Sequence, residues 1–179
     1  MKRYYSLIYI VVFSLVLPVL QASAQQVDSK LTCIFIYNFT KYIKWPPNTE
    51  SGDFVIGVLG DSPVEAELQK LTSKLKVNGV RNIAVKKFSS DANVSTLQTC
   101  HILYISKKES KTLKELNSTL SNSSTLLVSE GMGMANKGST ISIYIDEETD
   151  QIKLELNKKM LESHKLKASS ELLALAVVI

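Results

Sequence analysis

Between Phe54 and Ser129, apolar runs of strand length alternate with amphipathic helical segments. That rhythm restricts the fold more than any other feature of the chain. Phe54-Val55-Ile56-Gly57-Val58-Leu59 is too continuously apolar for a half-exposed strand and predicts one buried on both faces. Gly60-Asp61-Ser62-Pro63 then turns the chain, with Asp61 or Ser62 as the expected N-cap and Pro63 near the first helical position. Val64 to Leu75 follows as a helix, with Ala66, Leu68, Leu71 and Leu75 along one side. Asn82–Phe88 alternates as a strand, Asp91–Leu97 is a short helix or turn, and His101–Ile105 is a strand. Lys108–Leu120 predicts a helix presenting Leu113, Leu116 and Leu120, and Thr125–Ser129 a further strand. Strands separated by helices require crossover connections, so the expectation is an α/β fold with a mainly parallel sheet and helices on both faces.

The two ends of the chain depart from this rhythm. Val27 to Ile43 predicts a helix with Leu31, Phe35, Phe39 and Ile43 on one side, ended by Trp45-Pro46-Pro47, because a proline disfavours helical geometry at the residue before it. Ser139–Ile145 and Gln151–Leu156 both alternate across Asp146-Glu147-Glu148-Thr149-Asp150 and predict a C-terminal β-hairpin with one polar face. Lys158–His164 and Ser169–Val178 are expected as two short helices around the joint Leu166-Lys167-Ala168.

Residues 1–24 have the order of an export signal: Lys2-Arg3, the uncharged run Leu7–Leu20, then Ala22-Ser23-Ala24. Cleavage after Ala24 leaves residues 25–179 as a single domain, long enough for one hydrophobic core. The apolar run contains Pro18 and is shorter than a spanning helix, so the protein is expected to be exported and not to span the membrane. Removing Lys2 and Arg3 from the 21 basic residues leaves 19 against 17 acidic ones, a net +2. The only guanidinium left is Arg81, which excludes an ordinary nucleic-acid footprint.

Candidate chemistry is sparse. Cys33 and Cys100 allow a single disulfide in an oxidising compartment, and equally allow two buried thiols. The two histidines, His101 and His164, stand 63 positions apart with no metal-ligand spacing, so neither a metal nor another cofactor is expected. Cys100-His101 are adjacent at the start of a strand and point to opposite faces, which prevents a shared proton; Cys100 with His164 is the only other nucleophile-base pairing. Gly60 and Gly131 follow strands, where α/β folds bind ligands, yet the surrounding sequence lacks the glycines of a dinucleotide fingerprint and the Gly-Lys-Ser/Thr of a P-loop. Met132 and Met134 beside Gly131 have no neighbouring histidine or cysteine and read as a mobile loop. Most unusual is Phe35 to Pro46, with more rings than one helical face can hide. Phe35 and Phe39 are assigned to the core, and Tyr37 and Trp45 are free for other roles, among them anchoring a partner.

Four segments together resemble the YfiR family of periplasmic proteins: Ile36-Tyr37-Asn38-Phe39-Thr40-Lys41-Tyr42-Ile43-Lys44-Trp45-Pro46, then Ile56 to Pro63, then Cys100 to Ile105, and finally Leu154-Glu155-Leu156-Asn157 with Leu166 to Leu173. The resemblance implies a Rossmann-like α/β domain without catalytic activity. It also implies a homodimer that represses an inner-membrane diguanylate cyclase through the cyclase's periplasmic part, and so governs cyclic di-GMP output and biofilm formation. Cys33 departs from the pattern, which usually has a small residue there, so the family's disulfide arrangement is not carried over to Cys33 and Cys100.

A repressor of this kind needs a patch that a partner covers and two states that bind it differently. The expected patch joins the end of the first helix, Tyr42 and Trp45, to Leu166, Leu172 and Leu173 near the C-terminus. The alternative is a periplasmic small-ligand sensor with its site around Gly60 and Gly131. A polar pocket above the strand ends favours the sensor; an apolar face favours the interaction protein.

Overall fold

The computed structural model describes residues 27–179, so the export signal expected over 1–24 lies outside the described residues. Helix α1 (Ser29–Tyr42), capped by the Asp28 carboxylate on the Lys30 N–H, passes directly into the two-residue strand β1 (Ile43–Lys44). The alternating middle follows as β2 (Phe54–Leu59), α2 (Val64–Thr72), β3 (Ile83–Phe88), α3 (Val94–Leu97) and β4 (Ile102–Ile105). A 3-10 segment, Lys107–Thr112, then leads into α4 (Leu113–Leu120), followed by β5 (Leu126–Glu130). The hairpin β6 (Ile141–Asp146) and β7 (Gln151–Leu156) is succeeded by α5 (Lys158–Ser163), β8 (Lys167–Ala168), α6 (Ser170–Leu175) and β9 (Ala176–Val178).

Seven strands form one sheet in the order β3-β2-β4-β5-β6-β7-β9. The first five run parallel, with Ile56 opposite both Val85 and Ile102, and Ile102 opposite Leu126. β7 is antiparallel to β6, and β9 returns parallel to β7. This is the mainly parallel α/β architecture that the alternation predicts. Because side chains alternate along a strand, the sheet has two apolar faces. Ile56, Val58, Ile102, Tyr104, Leu126 and Val128 face one cluster, which α1, α2, α5 and α6 cover with Ile36, Phe39, Leu68, Leu161 and Leu172. Leu59, Leu103, Ile105 and Leu127 face the other, covered by Leu97 and by Leu113, Leu116 and Leu120 of α3 and α4.

Several local expectations are corrected. The inward face of α1 is Cys33, Ile36, Phe39 and the polar pair Thr32 and Thr40, while Leu31 is 41% exposed. Both threonines are satisfied internally: Thr32 Oγ1 donates to Glu130 Oε1 (3.0 Å) and Thr40 Oγ1 to the Tyr37 carbonyl (2.7 Å), so burying them leaves no polar atom unpaired. The joint 166–168 is partly a strand: β8 pairs antiparallel with β1, and the Ser169 N–H donates to the Tyr42 carbonyl (2.8 Å). The final helix stops at Leu175, and the β-branched Val177 and Val178 extend the sheet. Cys33 and Cys100 are free thiols in the two different clusters, on opposite sides of the sheet, which rules out the bridge between them.

Gly138 ties the second layer to the sheet. It has φ +124°, and a Cβ there would lie 2.6 Å from the Leu113 carbonyl oxygen and 3.0 Å from the Lys114 nitrogen, both backbone atoms at the start of α4. Gly138→Ala is therefore expected to lose at least about 2 kcal/mol of stability from strain and overpacking together, read as a lower urea midpoint with an unchanged slope.

Candidate functional site

At the amino ends of the central strands, one cluster gathers Trp45, Phe54, Arg81 and His101. The His101 ring stacks on Phe54 with centroids 4.5 Å apart, and Trp45 meets Phe54 edge-on at 5.0 Å. His101 Nδ1 accepts from the Val55 N–H (3.0 Å), so Nε2 carries the proton and donates it to the Thr49 carbonyl (2.9 Å). Arg81 donates from Nε to the Gly52 carbonyl (2.7 Å) and from Nη2 to the carbonyls of Thr49, Ser51 and Asp53. The one guanidinium of the domain is thus a clasp on the 47–53 loop, a role that no sequence signal marks because its partners are main-chain atoms. Burial, reinforced by the adjacent Arg81 charge, holds the His101 pKa below its ordinary value. Trp45 is half-buried here, with Nε1 donating to the His101 carbonyl (3.2 Å). Its contacts are internal, so a Trp45→Ala variant reports on folding and not on partner contact alone.

The nucleophile-base pairings do not form. Burial pushes the Cys100 thiol up to about 12, and its sulfur packs beside Gly57, across the sheet from the His101 ring. His164, fully buried, donates from Nε2 to Asn117 Oδ1 (3.0 Å), and burial lowers its pKa. Cys33 is likewise pushed up to about 12 by burial, then by Glu67 and Glu130, and its thiol donates to the Val64 carbonyl.

The carboxyl ends of β2 and β4 flank the point where strand order reverses, since β3 lies on one side of β2 and β4 on the other. A crevice of about 550 Å³ opens there, lined by Asp61, Ser62, Tyr104, Ser106, Lys107 and Lys108 together with Pro63. Gly60 borders it: a Cβ on Gly60 would stand 2.6 Å from Ser106 Oγ. Gly131, the other expected ligand position, is not among the lining residues. Ser106 is 2% exposed, and its Oγ has no protein partner. Behind Tyr104, the buried Glu130 accepts from the Tyr104 hydroxyl (2.8 Å) and from Thr32, leaving Oε2 unpaired. Burial, followed by the Glu130 charge, raises the Tyr104 pKa well above that of an ordinary phenol. Glu155, the motif residue at the end of β7, takes the Gly133 N–H on both oxygens (3.0 and 2.8 Å) and so tethers the methionine loop. Asn157 caps α5 through Met160.

The third feature lies where the chain ends meet. A groove of about 590 Å³ runs between α5, β8 and α6, floored by Leu161, Leu166, Ala168 and Leu173. The β1–β8 ladder brings the end of α1, with the half-buried Tyr42, beside it. Of the residues expected to form a partner patch, Tyr42 and Leu173 are partly accessible. Leu166 is only 1% exposed at the groove floor, and Leu172 is 2% exposed in the core. Leu172 has no surface to offer a partner and is corrected to a core residue.

Residues 29–177 match the family model described as YfiR/HmsC-like. A solved structure, a conserved domain protein from Vibrio cholerae O1 biovar El Tor strain N16961, superposes with a TM-score of 0.51 at 14% identity, over 84% of this chain. The chain spans 59% of that protein, and the likeness is one of fold. A search of curated proteins finds no match.

The two depressed histidines fix a pH dependence. In the unfolded chain they titrate near about 6.5. Above that value neither state binds the proton and the fold has its full stability. As pH falls through it, the unfolded chain takes up protons that His101 and His164 refuse in the fold. Urea midpoints are therefore expected to fall between about pH 7.5 and 5.5; a flat profile across that window would contradict the neutral, buried assignment.

Proposed function

The chain belongs to the YfiR/HmsC-like family, and on that premise we propose that it is a periplasmic regulator that works by contact with the periplasmic part of an inner-membrane signalling protein. The resemblance makes a diguanylate cyclase the expected target, repressed while the two proteins are bound, with cyclic di-GMP and biofilm formation as the output. Residues 1–24 direct export, residues 25–179 are the working domain, and a homodimer is the expected form. The observation that carries this reading is the family match across almost the whole described chain.

The chemistry agrees with a non-enzymatic role. Both thiols are held protonated by burial, and both imidazoles donate to carbonyl oxygens of the fold instead of facing a nucleophile. Among the described residues, no helix is long and apolar enough to cross a membrane. The lysine-bordered groove supports a contact surface, because it offers accessible apolar area beside charge. A second reading, a small-ligand sensor, is supported by the unpartnered and buried Ser106 hydroxyl at the crevice between β2 and β4. The two readings are compatible where ligand occupancy biases the form that binds the target.

Deleting the gene in its own host is expected to raise cellular cyclic di-GMP and biofilm mass. Expression of the exported chain should restore both, and expression of a form lacking residues 1–24 should not. Unchanged cyclic di-GMP in the deletion strain would contradict the reading.

A further inference from the structure

The groove between α5, β8 and α6 has a charge pattern that the fold does not need. Three lysines, Lys158, Lys165 and Lys167, stand on its lining against a single carboxylate, Glu162. Lys44 adds a fourth positive charge, because it lies directly opposite Lys167 in the β1–β8 ladder. Residues directly opposite in an antiparallel pair share a face, and like charges so placed repel. Among the described residues none of these four ammonium groups is ion-paired; the pairs that exist join Lys87 to Asp61 and Glu65, and Lys153 to Asp146. Lys165 also holds a backbone position that favours glycine. It follows α5 at φ 59°, where the Leu166 N–H reaches back to the Leu161 carbonyl (3.0 Å) to close the helix end. A lysine there forgoes the stability of a glycine and puts an ammonium at the rim instead.

We propose that this groove docks an acidic, apolar-anchored peptide segment of the partner protein. One or two large apolar side chains of the segment fill the space over Leu161, Leu166 and Leu173, and flanking Asp or Glu residues neutralise Lys44, Lys158, Lys165 and Lys167. Charge complementarity selects the sign of the occupant. Concavity selects its kind: a space of about 590 Å³ over the buried Leu161 and Leu166, flanked by the partly accessible Leu173, accepts inserted side chains, whereas a lipid surface requires apolar groups that project outward. The inference rests on the contact-regulator reading and names the chemistry of that contact.

The test uses the chain from residue 25 onward and three labelled peptides, EDLFDE, its charge-inverted form KKLFKK, and the apolar-deleted EDSSDE, followed by fluorescence anisotropy. EDLFDE is expected to bind at least about tenfold more tightly than either control, and more weakly as salt rises. Lys165→Glu with Lys167→Glu should weaken it by at least about tenfold. Lys165→Gly separates binding from folding: it should weaken the peptide while leaving the melting temperature at or above that of the native chain. Equal binding of all three peptides, or full binding by the double variant, would overturn the proposal. So would retention of the same chain on phosphatidylglycerol vesicles through these lysines without peptide binding. Peptide failure with the cyclic di-GMP phenotype intact removes the groove and leaves regulation by contact standing. Loss of that phenotype removes the wider reading whatever the peptide does.

Discussion

A parallel sheet with apolar residues on both faces of its central strands has to be covered twice, and the rest of this structure follows from that requirement. Ile102 and Tyr104 look one way from β4 while Leu103 and Ile105 look the other, and all four are fully or almost fully buried. α3 and α4 close one side, with Gly138 allowing the backbone of α4 to approach. On the other side α2 contributes Val64 and Leu68, and the rest of the cover comes from widely separated elements, α1 early in the described residues and α5 and α6 late. Burial of this extent is the dominant stabilising contribution in a domain of this size.

Joining cover from distant parts of the chain requires a seam. The seam is the short β1–β8 ladder with its extra bond from Ser169 to Tyr42, and the groove lies along it. A seam gives main-chain closure without filling all the space above it, so Leu166 and Leu173 are left under a concavity that lysines border. The amino-end cluster is built the opposite way. Arg81, His101, Trp45 and Phe54 bond and stack among themselves and with the 47–53 loop, which makes that end a structural clasp.

The parts of this arrangement that were legible in the sequence are those set by local pattern. β2 begins and ends where its apolar run does and β7 where its polar-apolar alternation does, and the crossovers follow from alternation with helices. What was not legible depends on partners far along the chain. β1 and β8 are two residues each and exist only because they meet. The inward face of α1 was misassigned toward Leu31 because Thr32 reads as polar until Glu130, 98 positions away, supplies its acceptor. Leu172 and Leu173 are adjacent leucines that pattern alone cannot rank, and packing sends only the first into the core. Arg81 and Ser106 left no local trace at all, since one binds carbonyls of a loop and the other is notable for the bond it lacks.

Regulation by contact requires another protein to cover a definite part of this surface. Hydrogen–deuterium exchange of residues 25–179, with and without the periplasmic segment of the proposed signalling partner, measures that directly. Protection concentrated in 158–173 and at the end of α1 is the result the account predicts. Protection confined to the β3 edge or the 47–53 loop, with 158–173 unchanged, would contradict it.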